Sequence, residues 1–269
     1  MNPKILDLVP WDAVMPSGPQ NILITLSYLV AALAIWFVAV EVKRRKDWVP
    51  VYAFIGGGLA VIYEPLGDML VCALYPMHNQ IGWIDMFGRS IPMFIGVLYF
   101  WYMSVPAIYF LRRLDSGLTK AGLWRCYALL IVLAIGIEIY GVSQSAWVYY
   151  GSHAYVVFGV PLWAPFTYAG FTLSICVGLH LMSTQLDRKY HWLIVPGLPM
   201  FMVGGHLAVT LPASAAVFTT SDPFWLWFGA TITLALSIGM AWVMSMVYCN
   251  DSKRVAAGRT GKMHIRVAS

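Results

Sequence analysis

The chain has 269 residues, 60% of them hydrophobic and only 11% charged, with a mean hydropathy of +0.71. A water-facing globule carries roughly 25% charged residues, so 17 basic and 12 acidic side chains leave a surface that lipid must cover. These figures exclude a soluble enzyme, a disordered chain, a coiled coil and a nucleic-acid module, and the net charge of +5 reflects where the basic residues sit rather than an acidic partner.

A membrane helix needs roughly 20 mostly apolar residues. Seven segments qualify: 21–40, 50–75, 91–111, 123–149, 161–183, 192–212 and 223–248. The expected fold class is therefore all-α, a polytopic membrane protein with seven transmembrane helices in a single integral membrane domain, 1–269. Met1 to Gln20 carries Asp7, Pro10, Asp12 and Pro16 where a signal peptide has its apolar core, so 1–20 reads as an extracytoplasmic segment and the first span as retained. Of the 17 Lys and Arg, all but Lys4 and Arg89 follow spans 1, 3, 5 and 7. The positive-inside rule then puts the N-terminus outside a plasma or inner cell membrane and a basic tail, 249–269, in the cytoplasm, where it can also touch anionic lipid. Cys72, Cys126, Cys176 and Cys249 never form a C-x-x-C pair and read as small buried hydrophobes.

The chain repeats itself. Glu64-Pro65-Leu66-Gly67 leads to Tyr75-Pro76, then Ile91-Pro92-Met93-Phe94 and Tyr99. Glu138-Ile139-Tyr140-Gly141 leads to Tyr149-Tyr150-Gly151, then Val160-Pro161-Leu162-Trp163 and Tyr168. Glu to Tyr is 11 residues in both copies and Pro to Tyr is 7 in both. A fainter third copy has His206 in span 6 and Pro223-Phe224-Trp225 opening span 7. The architecture expected is span 1 plus three helical hairpins, each turning on the outer side, with no mid-span break beyond Glu64-Pro65.

Ionisable groups inside a bilayer cost roughly 2.5–3.5 kcal/mol at mid-depth and persist mainly where they face a cavity or one another. Glu64 and Asp68 lie four apart on one face of span 2, Glu138 is in span 4, His206 in span 6, and His180 is nearer the cytoplasmic end of span 5. At 1.5 Å per residue Glu64 and Glu138 both fall roughly 22 Å from the cytoplasmic side and Asp68 roughly 28 Å. The polar groups thus converge on one layer, expected to open outward among Tyr63, Tyr75, Trp83, Tyr99, Trp101, Tyr140, Trp147, Tyr149, Trp163 and Trp225. Two neighbouring carboxylates repel when both ionise, so one should hold a proton, the arrangement used for general acid and base work. The candidate catalytic residues are Glu64, Asp68 and Glu138. The candidate substrate-binding residues are Tyr63, Tyr75, Arg89, Tyr99, Tyr140, Trp147, Trp163, His206 and Asp222.

Structural roles stand beside these. Glu64 and Asp68 could tie span 2 to its neighbours, Asp222 before Pro223 matches an N-cap, and Asp85 and Arg89, four apart, read as an exposed ion pair. Arg89 could instead cap a pocket mouth or anchor a polar substrate group. No metal or cofactor is expected. D-D-x-x-D and N-D-x-x-D are absent, His clusters of the di-iron kind are absent, span 7 has no lysine for a retinal Schiff base, and no nucleophile elbow, P-loop or dinucleotide fingerprint occurs. Metal-free proton chemistry on a lipophilic small molecule remains, with a proton-coupled transporter, a lipophilic-ligand-binding protein or a structural subunit as alternatives. The sequence leaves the oligomeric state open.

Glu64-Pro65 with Asp68 and Tyr75-Pro76, then Phe87-Gly88-Arg89-Ser90-Ile91-Pro92, resemble the spirocyclase AveC family of small integral membrane proteins, and Glu138 through Tyr149-Tyr150-Gly151 to Phe158-Gly159-Val160-Pro161-Leu162-Trp163 resembles that family's second block. The likeness covers about residues 56–170 and implies cofactor-independent ring closure of a hydroxylated ketone to a polyketide spiroketal. A weaker likeness is to the seven-helix membrane terpene cyclases of meroterpenoid pathways. It implies an acid in span 2, matched by Glu64, and another near span 7, for which Asp222 is the nearest candidate.

Overall fold

With no water in hydrocarbon to satisfy backbone N–H and C=O groups, a spanning segment must bond within itself, which favours helices. The computed structural model describes residues 3–249 and has seven helices long and apolar enough to cross a membrane: Ser17–Arg45, Val49–Val71, Met93–Asp115, Lys120–Ser143, Trp163–Gln185, Arg188–Thr219 and Pro223–Tyr248. The basic residues expected beyond 249, Lys253, Arg254, Arg259, Lys262 and Arg266, lie outside the described residues. Spans 2, 3 and 5 are the inner ones, 56%, 61% and 56% buried, whereas spans 1 and 4 are 22% buried and turn apolar faces outward, with Leu33, Trp36 and Val132 exposed.

The first helix, α1, is Ser17–Arg45. Span 2 comprises α2, Val49–Leu59, a 3₁₀ turn over Ala60–Tyr63, and α3, Glu64–Val71. Pro65, in the first turn of α3, has no N–H to give to the preceding turn, so the ladder breaks there. After strands β1, Ala73–Leu74, β2, Gly82–Met86, and β3, Arg89–Pro92, span 3 also proves to be broken: α4, Met93–Tyr102, gives way at Met103 to α5, Ser104–Asp115, whose first turn contains Pro106. That second break was not expected, because Pro106 lies deep in a uniformly apolar run. The rest of the chain is α6, Lys120–Ser143; β4, Val148–Tyr149; β5, Val156–Val157; β6, Val160–Pro161; α7, Trp163–Gln185; α8, Ile194–Thr219; and α9, Pro223–Tyr248.

Where helices must approach closely in a membrane, small residues line the contact. Gly56 faces the carbonyls of Ile194 and Val195 at the start of α8, and Gly57 faces the side chains of Met103 and Ser104, so a glycine run seats span 2 between spans 3 and 6.

The end opposite the basic clusters is closed by short antiparallel strand pairs, β1 with β4, β2 with β3 and β5 with β6. The sequence-expected helices of spans 2 and 4 overran here, taking apolar 72–75 and 146–149 as helix, whereas Cys72 turns left-handed, Ala73–Leu74 and Val148–Tyr149 are strands, and 146–147 bend. The register holds a symmetry: Leu74 pairs with Val148, its own counterpart in the repeat, so a pseudo-twofold axis passes through that pair. Both repeats also carry a two-residue hairpin turn on Phe-Gly, Phe87-Gly88 and Phe158-Gly159, all four residues with φ between 51° and 80°. Between α8 and α9 the chain forms no strand, so the third copy shares the helical hairpin and not the strands.

The N-terminal segment folds across this end. Met15 N–H donates to the His78 carbonyl at 2.8 Å, the Asn79 amide donates to the Met15 carbonyl at 2.9 Å, and the Gln20 side chain bonds the Asn79 carbonyl and the Ile81 N–H. Ile5 and Val9 pack with Val71, Cys72, Leu74, Tyr150 and Trp163. At the basic end, Arg45 bonds Asp115 at 2.8 Å, while Arg44 and Arg112 hold the fully buried Glu41 at 2.7 and 3.2 Å. Glu41 escaped the sequence reading because the apolar run was ended at Val40, one turn before the helix itself ends.

Candidate functional site

Glu64 begins α3 and Asp68 follows one turn later on the same face, while Glu138 lies one and a half turns from the end of α6. All three border one cavity inside the bundle, walled by Leu23 and Ser27 of α1, Gly67 and Val71 of α3, residues from Phe94 to Met103, Ala134 and Ile137 of α6, and Tyr75, Trp147, Tyr168 and Phe171. The space inside it that a water-sized sphere can occupy is about 100 Å³, so a drug-sized ligand must part the walls to enter. At the end opposite the basic clusters, the N-terminal segment and β1 pack against Val71, one of the lining residues, and the lining also takes in Leu23 and Ser27 of α1.

The repeat spacing becomes bonding geometry. The Tyr75 hydroxyl donates to Glu64 Oε1 at 2.8 Å, and the Tyr149 hydroxyl donates to Glu138 Oε2 at 2.8 Å. Eleven residues is the length needed to finish the helix, turn, and bring a strand residue back against the carboxylate. Glu64 Oε2 accepts a second bond from the Tyr99 hydroxyl. Tyr168, the counterpart of Tyr99, reaches only the Tyr149 hydroxyl, at 3.2 Å, because Trp147 Nε1 has taken the place on Glu138 Oε2, at 2.8 Å. The glycine three residues after each Glu explains the difference. A Cβ on Gly141 would lie 2.0 Å from the Trp147 ring, whereas one on Gly67 would meet the rings of Tyr63 and His206 at 3.4 and 3.6 Å. Gly141 thus admits the indole, whereas at Gly67 a Cβ would find only ordinary contacts with two rings.

These bonds leave the carboxylates unlike one another. Both oxygens of Glu64 accept phenols. Glu138 lines the cavity and accepts twice on Oε2, and no described residue donates to its Oε1. Asp68 is 6% exposed, its Oδ2 has no partner among the described residues, and it lies within electrostatic reach of Glu64, Arg89 and Glu138.

Other sequence-predicted residues stand around this centre. His206, 3% exposed and with neither ring nitrogen bonded to a described residue, packs among Tyr63, Tyr168 and Phe171 at ring separations of 5.6, 6.4 and 5.2 Å. Tyr63 turns its ring to that histidine and borders a separate apolar groove between spans 2 and 6. Arg89 corrects the expected surface ion pair with Asp85. In the hairpin Asp85 faces Ser90 and Met86 faces Arg89, so adjacent pairs point to opposite faces and the helical four-residue rule does not apply. Arg89 is buried and donates to the Ala73 carbonyl at 2.5 Å and to the Tyr150 hydroxyl at 2.8 Å, roofing the site. Burial pushes the neighbouring Cys72 thiol up to about 12, against the pull of Arg89, so it stays protonated.

Three expected binding residues lie elsewhere. Trp163 is buried in the apolar cluster at the strand end of the bundle, against His153. Tyr140 is half-buried on α6 and does not line the cavity, since two residues beyond Glu138 is about 200° around the helix. Asp222 is exposed and caps α9, its carboxylate accepting the Phe224 N–H at 2.8 Å. Tyr168, Tyr102, Phe94 and Phe171 line the cavity and were not among the expected binding residues; the repeat already pointed to Tyr168, as the partner of Tyr99.

Among the described residues no three His, Cys, Asp or Glu side chains converge in a way that would hold a metal ion. Comparison with protein-family models, curated proteins and solved structures finds no match.

Proposed function

We propose that this protein is an integral membrane cyclase or isomerase that closes a ring in a lipophilic substrate by general acid and base catalysis. The observation that carries this reading is the pairing of two repeat-related carboxylates, each bonded by the tyrosine eleven residues on, across one aromatic-lined cavity within the bundle. Glu138 takes the acid role. With two donors fixed on Oε2, its proton sits on Oε1 and faces the cavity. That proton passes to a carbonyl, hydroxyl, epoxide or alkene, an internal nucleophile or double bond closes the ring, and the proton released at closure returns to a carboxylate. Glu64, which the likeness to membrane terpene cyclases would make the acid, has both oxygens occupied by phenols and serves as a fixed negative charge. Asp68, beside the charged Glu64, keeps its own proton, and the proton released at closure returns to Glu138. The AveC resemblance supports a polyketide dihydroxyketone as substrate, both hydroxyls adding to the ketone carbon and its oxygen leaving as water on spiroketal closure; the likeness to membrane terpene cyclases supports a terpenoid.

The placement proposed is a plasma or inner cell membrane, N-terminus outside and C-terminus in the cytoplasm, supported by the basic residues gathered at one end. The test is turnover of candidate polyketide and terpenoid precursors by protein in detergent. Glu138→Gln should lower kcat by about 10²- to 10⁴-fold. Full turnover in that variant removes the acid.

A second reading, a proton-coupled carrier, is favoured by one observation: spans 2 and 3 both break beside the cavity, and broken helices line carrier sites. Substrate-driven proton uptake into liposomes, lost in Glu138→Gln, would replace the first reading with this one.

A further inference from the structure

The cavity has an imbalance of charge. Glu64, Asp68 and Glu138 border it, and no Lys, Arg or His does. Arg89, in the roof, is the basic group in electrostatic reach of Asp68, which leaves the two glutamates without a cationic counterpart among the lining residues. Burying carboxylates is costly unless something pairs with them. Tyrosines and an indole satisfy three of the four glutamate oxygens, and no described residue donates to Oε1 of Glu138, which lines the cavity.

The wall beside that oxygen is aromatic. Tyr75, Phe94 and Trp147 meet one another at ring-centroid separations of 6.0 to 6.4 Å, and all three line the cavity. The Trp147–Glu138 bond fixes the indole next to the free oxygen. Aromatic faces together with a carboxylate attract cations, most strongly where water is excluded. An anionic ligand would meet only repulsion, and a neutral hydrocarbon would leave Oε1 unpaired.

We propose that this cavity selects a lipophilic molecule with a positive centre inside an apolar skeleton, seated between Glu138 Oε1 and the rings of Tyr75, Phe94 and Trp147. This rests on the reading of the cavity as the ligand site. The positive centre is either permanent, as in a hydrophobic ammonium, or formed when a bound substrate takes a proton. A stable ammonium therefore occupies the site without reacting, and Glu138 gives up its resting proton to solvent as it pairs with the ammonium.

The probe is decyltrimethylammonium, compared with its uncharged isostere in which a quaternary carbon replaces the nitrogen, on the full chain in lipid nanodiscs. Binding is read by calorimetry and by the shift in thermal unfolding. The ammonium is expected to bind at least about 10-fold more tightly than the isostere, and Glu138→Gln should remove most of that difference. Trp147→Phe, which keeps an aromatic ring but loses the indole N–H, should reduce the preference without abolishing it. Equal affinity for the two probes in the wild-type protein overturns the proposal whatever the variants do, as does an ammonium preference unchanged in folded Glu138→Gln. Selective ammonium binding without turnover of any candidate substrate upholds the cation site and counts against the cyclase reading, so the two fail separately.

Discussion

A carboxylate that has lost its water must find its partners in the protein, and the number it finds sets what it can still do. Glu64 accepts from Tyr75 and Tyr99 and has no oxygen left over. Removing either hydroxyl leaves a buried acceptor short of a donor, at a cost of about 1–3 kcal/mol. Tyr99→Phe is therefore expected to lower the unfolding temperature in detergent, and Tyr75→Phe to do the same. Tyr168→Phe is expected to do less, because Tyr168 reaches Glu138 only through Tyr149. Equal losses in Tyr99→Phe and Tyr168→Phe would mean that the two copies are not bonded differently. The glutamates and their eleven-residue tyrosines were legible in the sequence because a fixed spacing between a helix and the strand after it survives folding. Arg89 was not legible. Its neighbour four residues away is a partner in a helix and faces the opposite way in a hairpin, and nothing in Asp85-Met86-Phe87-Gly88-Arg89 marks an isolated hairpin beyond the Phe-Gly turn.

At the scale of elements, one glycine decides where a loop lands. The Gly141 Cα receives the Trp147 ring so closely that any side chain there must displace it. Gly141→Ala is expected to gain helix propensity, about 1 kcal/mol, and to lose more than that through overpacking, about 1–3 kcal/mol. It should also free the indole from Glu138. The measurement is tryptophan fluorescence together with thermal unfolding. A more stable protein with unchanged emission would show that the ring is not seated there. The loop beyond β4 carries a pH dependence of its own. Burial holds the His153 imidazole below its ordinary value, only partly offset by its bond to the Tyr150 carbonyl. The unfolded chain, with a histidine near 6.5, takes up the proton first on acidification. His153 therefore contributes full stability above about pH 6.5 and loses it as the pH falls below that value. The loss of unfolding temperature between pH 8 and pH 5 is expected to be smaller in His153→Gln than in the wild type. These strands and loops were read as helix from sequence because 72–75 and 146–149 are as apolar as the spans they follow, and apolarity alone does not separate a buried strand from the last turn of a helix.

On the scale of the whole molecule, the two ends do different work. One end gathers the turns after spans 1 and 3 through Arg44, Arg45 and Arg112 with Glu41 and Asp115. The other carries the strand pairs and the N-terminal segment, with Phe87 and Phe158 exposed at the hairpin tips. A short basic loop resists crossing a membrane during insertion, so the arginine-rich end is expected on the cytoplasmic side and the hairpin tips outside. The consequence is measurable in intact cells. Phe158→Cys places a thiol on a fully accessible tip, and Ser116→Cys places one at the exposed turn after α5. A membrane-impermeant maleimide added outside should label Phe158→Cys and leave Ser116→Cys unlabelled until the cells are opened. Cys72, Cys176 and Cys249 are buried and Cys126 is half-buried on α6, so the parent protein supplies the background. Labelling in the reverse order would invert the molecule, and the site with it. Glu64 and Glu138 would then lie in the half of the bilayer nearer the cytoplasm, and a substrate made there would reach them without crossing the membrane.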